Sequence, residues 1–204
     1  AGWARRLAPL PPTLGTLGMV LLILALARPQ TGLREKQVTL ETIDIVLAID
    51  TSTSMRAVDL ADDRDNEQNR LEAVKSVAAE FIEAREGDRL GLIAFAAMPY
   101  TISPLTLDRG WLQTRLEALE TGTLPDGTAL GSALAGAVNR LRDSEAASKV
   151  VVLLTDGISN AGDIEPLNAA PLAEALGIRV YTIGAGSSGL VRVPVSDMFG
   201  RTVY

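Results

Sequence analysis

The chain has 204 residues, 47% of them hydrophobic, carries a formal net charge of −6, and contains neither cysteine nor histidine. That length suits one α/β domain with an appendage, and the acidic balance argues against nucleic acid as a partner, because neutralising phosphates takes clustered Lys and Arg. Without Cys or His there is no disulfide frame, thiolate nucleophile, imidazole base, or nitrogen or sulfur metal ligand, so a bound metal has to be held by oxygen.

In chain order, residues 1–28 form an apolar segment that is uncharged from Thr13 to Ala27 and flanked by Arg5, Arg6 and Arg28. Fifteen helical residues span only about 22 Å against a hydrocarbon core of ~30 Å, but counting from Leu7 gives a workable length. We therefore expect a transmembrane helix here, irregular in its first part because of Pro9, Pro11 and Pro12. Two other readings compete with it. Ala25-Leu26-Ala27 has the form of a signal-peptide cleavage site, and the segment could also be a buried core helix. Residues 29–42 are polar and read as a connector, which leaves 43–204 as the folded domain.

Within that domain, Ile43–Ile49, Leu90–Phe95, Val150–Leu154 and Ile178–Ile183 are short runs rich in β-branched and apolar residues. Such runs suit strands buried on both faces. Met98–Ser103, which contains Pro99, reads as an edge strand. Between the strands, Leu71, Val74, Ala78, Phe81 and Ile82 recur at helical spacing, as do Leu130, Ala133, Leu134, Ala137, Val138 and Leu141. The alternation predicts an α/β fold: a doubly wound, mostly parallel sheet with one antiparallel edge strand, preceded by the N-terminal membrane helix.

The chemistry gathers where strands end. The first run closes on Asp50, and Ser52 and Ser54 follow at i+2 and i+4, so in an extended loop all three oxygens face one way. The third ends in Thr155-Asp156-Gly157, and Asp126-Gly127-Thr128 immediately precedes a helix. In open α/β sheets ligands collect beyond the carboxyl ends of the strands. Three hydroxyls and two carboxylates form a hard oxygen set that suits Mg²⁺; Ca²⁺ sites usually hold more carboxylate and backbone oxygen. Taken singly, each piece also fits ordinary turn or helix-cap chemistry. Their joint occurrence at strand ends favours a metal centre.

The strings D-I-V-L-A-I-D-T-S-T-S-M, D-G-T before a helix, and V-V-L-L-T-D-G resemble the metal-ion-dependent adhesion site of von Willebrand factor A domains, over about residues 43–186. The resemblance implies a Rossmann-like fold. It also implies that Ser52, Ser54 and Thr128 contact the metal directly, with Asp50 and Asp156 acting largely through water, and that a sixth position takes an acidic side chain from a protein partner. Mg²⁺ is the expected ion, with Mn²⁺ or Ca²⁺ as alternatives. The apolar segment ending A-L-A-R-P-Q just before the domain is similar to bacterial aerotolerance-type (Bat) membrane proteins. That implies an inner-membrane tether, a periplasmic domain and a C-terminal end that is incomplete here. The expected role is binding rather than catalysis; a metal-dependent hydrolase and a channel or transport subunit are the competing readings.

Two further features have simpler explanations. Gly184-Ala185-Gly186-Ser187-Ser188-Gly189 matches a dinucleotide-binding glycine pattern, but the extended-looking Val191–Pro194 follows instead of a helix. The acidic stretch Asp59, Asp62, Asp63, Asp65 and Glu67 could hold a second cation but reads better as a solvated loop.

Overall fold

A computed structural model describes residues 10–27, 42–61, 67–157, 159–186, 195–196 and 202–203. The chain divides into two units, residues 1–38 and 39–204. The first contains helix α1 (Leu10–Ala27). Pro11 and Pro12 lie in its first turn, where no intrahelical N–H bond is lost, so they open the helix instead of disrupting it. Leu17, Met19, Val20, Leu21, Leu22, Ile23 and Leu26 are all exposed on it. Eighteen residues rise only about 27 Å, and among the described residues no helix is long and apolar enough to cross a membrane. The transmembrane helix expected over residues 1–28 is therefore not found. Most of the connector, residues 29–41, lies outside the described residues, as do the acidic-loop positions 62–66 and the continuation of the glycine pattern at 187–194.

The second unit is built on a five-stranded sheet. Its strands are β1 (Ile43–Asp50), β4 (Arg89–Phe95), β5 (Pro99–Thr106), β6 (Ser148–Thr155) and β7 (Ile178–Gly184), in the order β5-β4-β1-β6-β7. All neighbours pair in parallel except β4 and β5, the antiparallel edge expected from the sequence. Short β2 (Val58–Ala61) and β3 (Glu67–Asn69) form a separate ribbon, and β8 (Val195–Ser196) pairs with β9 (Thr202–Val203).

Residues alternate faces along β1. Ile45, Leu47 and Ile49 join one core with Leu71, Val74, Ala78 and Ile82 of α2 (Arg70–Glu83) and Leu112 and Leu116 of α3 (Arg109–Glu117). Val46 and Ala48 join a second core with Ala133, Leu134, Ala137, Val138 and Leu141 of α4 (Leu130–Leu141) and Ala169 and Ala173 of α5 (Pro166–Ala175). Both faces are thus covered, and each fully buried Leu or Ile contributes about 1.5–3 kcal/mol. Two of these helices are not evident from sequence. Only Leu112 and Leu116 mark the buried stripe of α3, and Pro171 inside α5 argues locally against a helix that Ala169 and Ala173 pin to the sheet.

This connectivity fixes where a site can form. From β1 the chain moves to β4 and β5 on one side, then returns past β1 to β6 and β7 on the other. The direction reverses between β1 and β6, so their carboxyl ends border the crevice where such sheets bind ligands.

Candidate metal centre

Asp50 is the last residue of β1 and is fully buried. The backbone N–H of Ser52 donates to its Oδ1 at 2.9 Å, and the Thr155 hydroxyl donates to its Oδ2 at 2.6 Å. Thr51 turns the other way, donating its N–H and hydroxyl to the Phe95 carbonyl on β4. The extended conformation expected from 50 to 54 stops at Ser52, because Thr53–Arg56 forms one turn of 3₁₀ helix with Ser52 at its N-cap. Ser52 and Ser54 still converge, with their hydroxyl oxygens 2.9 Å apart.

From the β6 side, Oδ1 of Asp156 accepts from the Ser54 hydroxyl at 2.7 Å. Thr128 enters from the loop before α4. Its N–H donates to Asn160 Oδ1 at 2.8 Å, and its carbonyl accepts from the N–H groups of Asn160 and Ala161. The N-cap of α4 is Ala129, with no side-chain cap, so Thr128 is not serving as that helix's cap. A Cβ on Gly157 would lie 3.7 Å from its hydroxyl oxygen, which puts Thr128 beside Asp156-Gly157. Gly127 has φ +131°, and a Cβ there would stand 2.9 Å from the Cβ of Ala161, so this bend requires glycine. All five residues singled out from the sequence therefore border one crevice.

The donor set fits a small divalent ion. Its three hydroxyls and two carboxylates are hard oxygen donors of the kind Mg²⁺ takes, and the Ser52 and Ser54 hydroxyls, hydrogen-bonded to each other at 2.9 Å, stand side by side. Among the described residues no group of three or more Asp or Glu gathers anywhere, this crevice included, so a metal here would depend on the hydroxyls as well as on the two carboxylates.

Electrostatically, Asp50 is the unusual member. Burial pushes its carboxyl above the ordinary value of 3.8; hydrogen bonds from Thr155 and Ser52 oppose this, and nearby Asp156 adds to the rise. Among the described residues no Arg or Lys forms an ion pair with it. Four residues support the set in ways that motif spacing does not show, although Thr155 and Asp126 stand within the motifs themselves. Besides Thr155 and Asn160, Asp126 accepts from the N–H and hydroxyl of Thr53 at 3.0 and 2.9 Å, bonds that hold its carboxyl below the usual range. Arg70 binds Asp156 Oδ2 at 2.6 Å and Asp59 through two further bonds. Asp59 therefore belongs to a nearly buried ion pair instead of a solvated loop.

Residues 45–159 match the von Willebrand factor type A domain, and the chain belongs to that family. It is 36% identical over 173 residues to a protein of Borreliella burgdorferi, covering 84% of this chain and 49% of that protein. It is 33% identical over 212 residues to a UPF0353 protein of Mycolicibacterium paratuberculosis, covering 92% and 59%. The chain thus spans about half to three fifths of these relatives' length. A solved structure similar to it is an aerotolerance-related membrane protein from Bacteroides fragilis, at 26% identity and TM-score 0.64, covering 79% of this chain and 80% of that one. Domains of this family often mediate metal-dependent protein interactions.

Proposed function

We propose that this domain is a non-catalytic binding module. Asp50, Ser52, Ser54, Thr128 and Asp156 hold one Mg²⁺, which captures an acidic side chain of a protein partner. The observation that carries this reading is the crevice between β1 and β6, where neutral hydroxyls meet a buried carboxylate that has only neutral hydrogen-bond donors. An ion held largely by hydroxyls keeps much of its positive charge and so attracts a partner carboxylate. Both oxygens of Asp50 and both of Asp156 already accept hydrogen bonds, which favours ligand and support roles over that of a hydrolytic base. Mn²⁺ or Ca²⁺ could substitute for Mg²⁺ in the same set, less well for Ca²⁺, whose sites usually hold more carboxylate and backbone oxygen.

The proposal includes membrane association through the N-terminal segment, with the domain on the periplasmic side of a bacterial inner membrane. The exposed apolar side chains of α1 and the likeness to an aerotolerance-related membrane protein support it. Protease added to intact spheroplasts should digest the domain; full protection would reverse the orientation.

Capture from membrane extracts, with Mg²⁺ or with EDTA, tests the binding reading. Losing a buried, hydrogen-bonded charge contact typically costs about 2–5 kcal/mol, or roughly 30- to several-thousand-fold in affinity. EDTA and Thr128→Ala should each weaken capture on that scale, and together do little more than either alone, because both remove one contact. Capture indifferent to the metal would move the recognition surface elsewhere.

A further inference from the structure

Arg70 opens α2, where the positive end of the helix dipole disfavours a cation. It nonetheless points its guanidinium inward, with the side chain only 12% exposed. Three contacts hold it there. Nε and Nη2 grip the two oxygens of Asp59 at 2.9 and 2.7 Å, a planar fork that a lysine could not reproduce. Nη1 binds Asp156 Oδ2 at 2.6 Å. Behind β7 the backbone turns at Gly186, φ +151°, so close that a Cβ would sit 3.0 Å from the guanidinium carbon. A donor fixed from three directions is not easily displaced from the carboxylate it holds.

We propose that Arg70 sets the ion selectivity of the centre: by occupying Oδ2 of Asp156 it limits that carboxylate to one oxygen and so favours Mg²⁺ over Ca²⁺. The inference rests on the metal-binding reading above. Ca²⁺ takes six to eight oxygens, often through two-oxygen chelation by a carboxylate, whereas Mg²⁺ takes six in near-ideal octahedral geometry. Asp156 presents only Oδ1 to the crevice, beside the Ser54 hydroxyl, so it meets the ion with one oxygen, directly or through the water that the resemblance implies. Asp50 has both oxygens engaged by Ser52 and Thr155, so neither carboxylate of the set can chelate as it stands. Freeing Asp156 Oδ2 would let both of its oxygens turn to the ion and replace that water, supplying the chelating carboxylate that Ca²⁺ sites often hold. Arg70 acts through Asp156 and is a positioning residue.

Titration calorimetry of the full chain with Mg²⁺ alone and Ca²⁺ alone tests this in the wild type, Arg70→Gln and Asp59→Asn/Arg70→Met. The double variant removes one negative and one positive charge, so net charge is unchanged and the readout is geometry. Partners of metal ligands tune affinity by about 10–100-fold. The wild type should prefer Mg²⁺, and the Ca²⁺ to Mg²⁺ affinity ratio should rise about tenfold or more in each variant that circular dichroism shows folded. A general loss of structure would weaken both ions together, leaving the ratio where it was. An unmoved ratio in a folded variant that still binds both ions overturns the selectivity role and leaves the metal centre standing. A wild type that binds neither ion overturns the centre itself.

Discussion

The two ends of β1 each carry a fully buried aspartate, and they are held in opposite ways. Asp44, at the amino end, receives the Arg89 guanidinium at 2.8 and 2.5 Å and the Ser144 hydroxyl at 2.5 Å. Asp50, at the carboxyl end, receives one backbone N–H and one threonine hydroxyl. An ionised carboxylate buried without a cation is costly, so Asp44 is a satisfied anchor between β1, β4 and the loop after α4. Asp50 is left with a charge that an incoming metal would compensate. Equal burial on one strand thus leaves one aspartate paired with a cation and the other with neutral donors alone, the condition the proposed metal role requires.

The largest expected effects come from breaking each end separately. Asp50→Asn should leave apo stability unchanged or raised, while Mg²⁺ affinity falls about 100-fold or more, beyond what loss of a supporting partner costs. Asp44→Ala should do the reverse, destabilising the domain by about 2 kcal/mol in urea unfolding with Mg²⁺ affinity preserved. That figure is discounted because Arg89 is 42% exposed and solvent screens the pair. Equal destabilisation by the two variants would end the comparison.

Next in size, Ser52→Ala/Ser54→Ala should lower Mg²⁺ affinity by at least the roughly 10–100-fold that an outer partner of a metal ligand is worth, read by calorimetry, but less than Asp50→Asn because the hydroxyls carry no charge. Unchanged affinity would remove the hydroxyls from the centre.

The pH dependence should be gentler. The folded apo domain binds the Asp50 proton more tightly than the unfolded chain does. The stability this group supports is thus full below 3.8 and declines as pH rises through its elevated folded value. Mg²⁺ competes with that proton, so its affinity should climb across the same window, and a flat profile there would show that Asp50 does not feel the ion. Asp126 has the opposite sign: its support is present above the unfolded value and lost as pH falls through the depressed folded one. Because Asp126 lies at the surface, Asp126→Asn should cost less than about 1 kcal/mol, the smallest effect of the set.

How far the sequence alone could go differs between strands, helices and site. Strands buried on both faces leave continuous apolar runs, and α4 repeats its buried residues every turn, so these were legible locally. The short α3 and the proline-containing α5 owe their helicity to packing on the sheet. That Asp50, Ser52, Ser54, Thr128 and Asp156 would gather in one place was likewise readable, because each falls near a strand end or before a helix. What local pattern could not encode is which side chain answers which. Asp50 meets Thr155 across 105 positions, Asp156 meets Arg70 across 86, Asp126 meets Thr53 across 73 and Thr128 meets Asn160 across 32. Asp44 and Asp50 look alike in the sequence, both within one apolar strand. Only the folding of β4 and the loop after α4 around the amino end of β1 supplies Arg89 and Ser144 to one, while among the described residues no basic side chain forms an ion pair with the other.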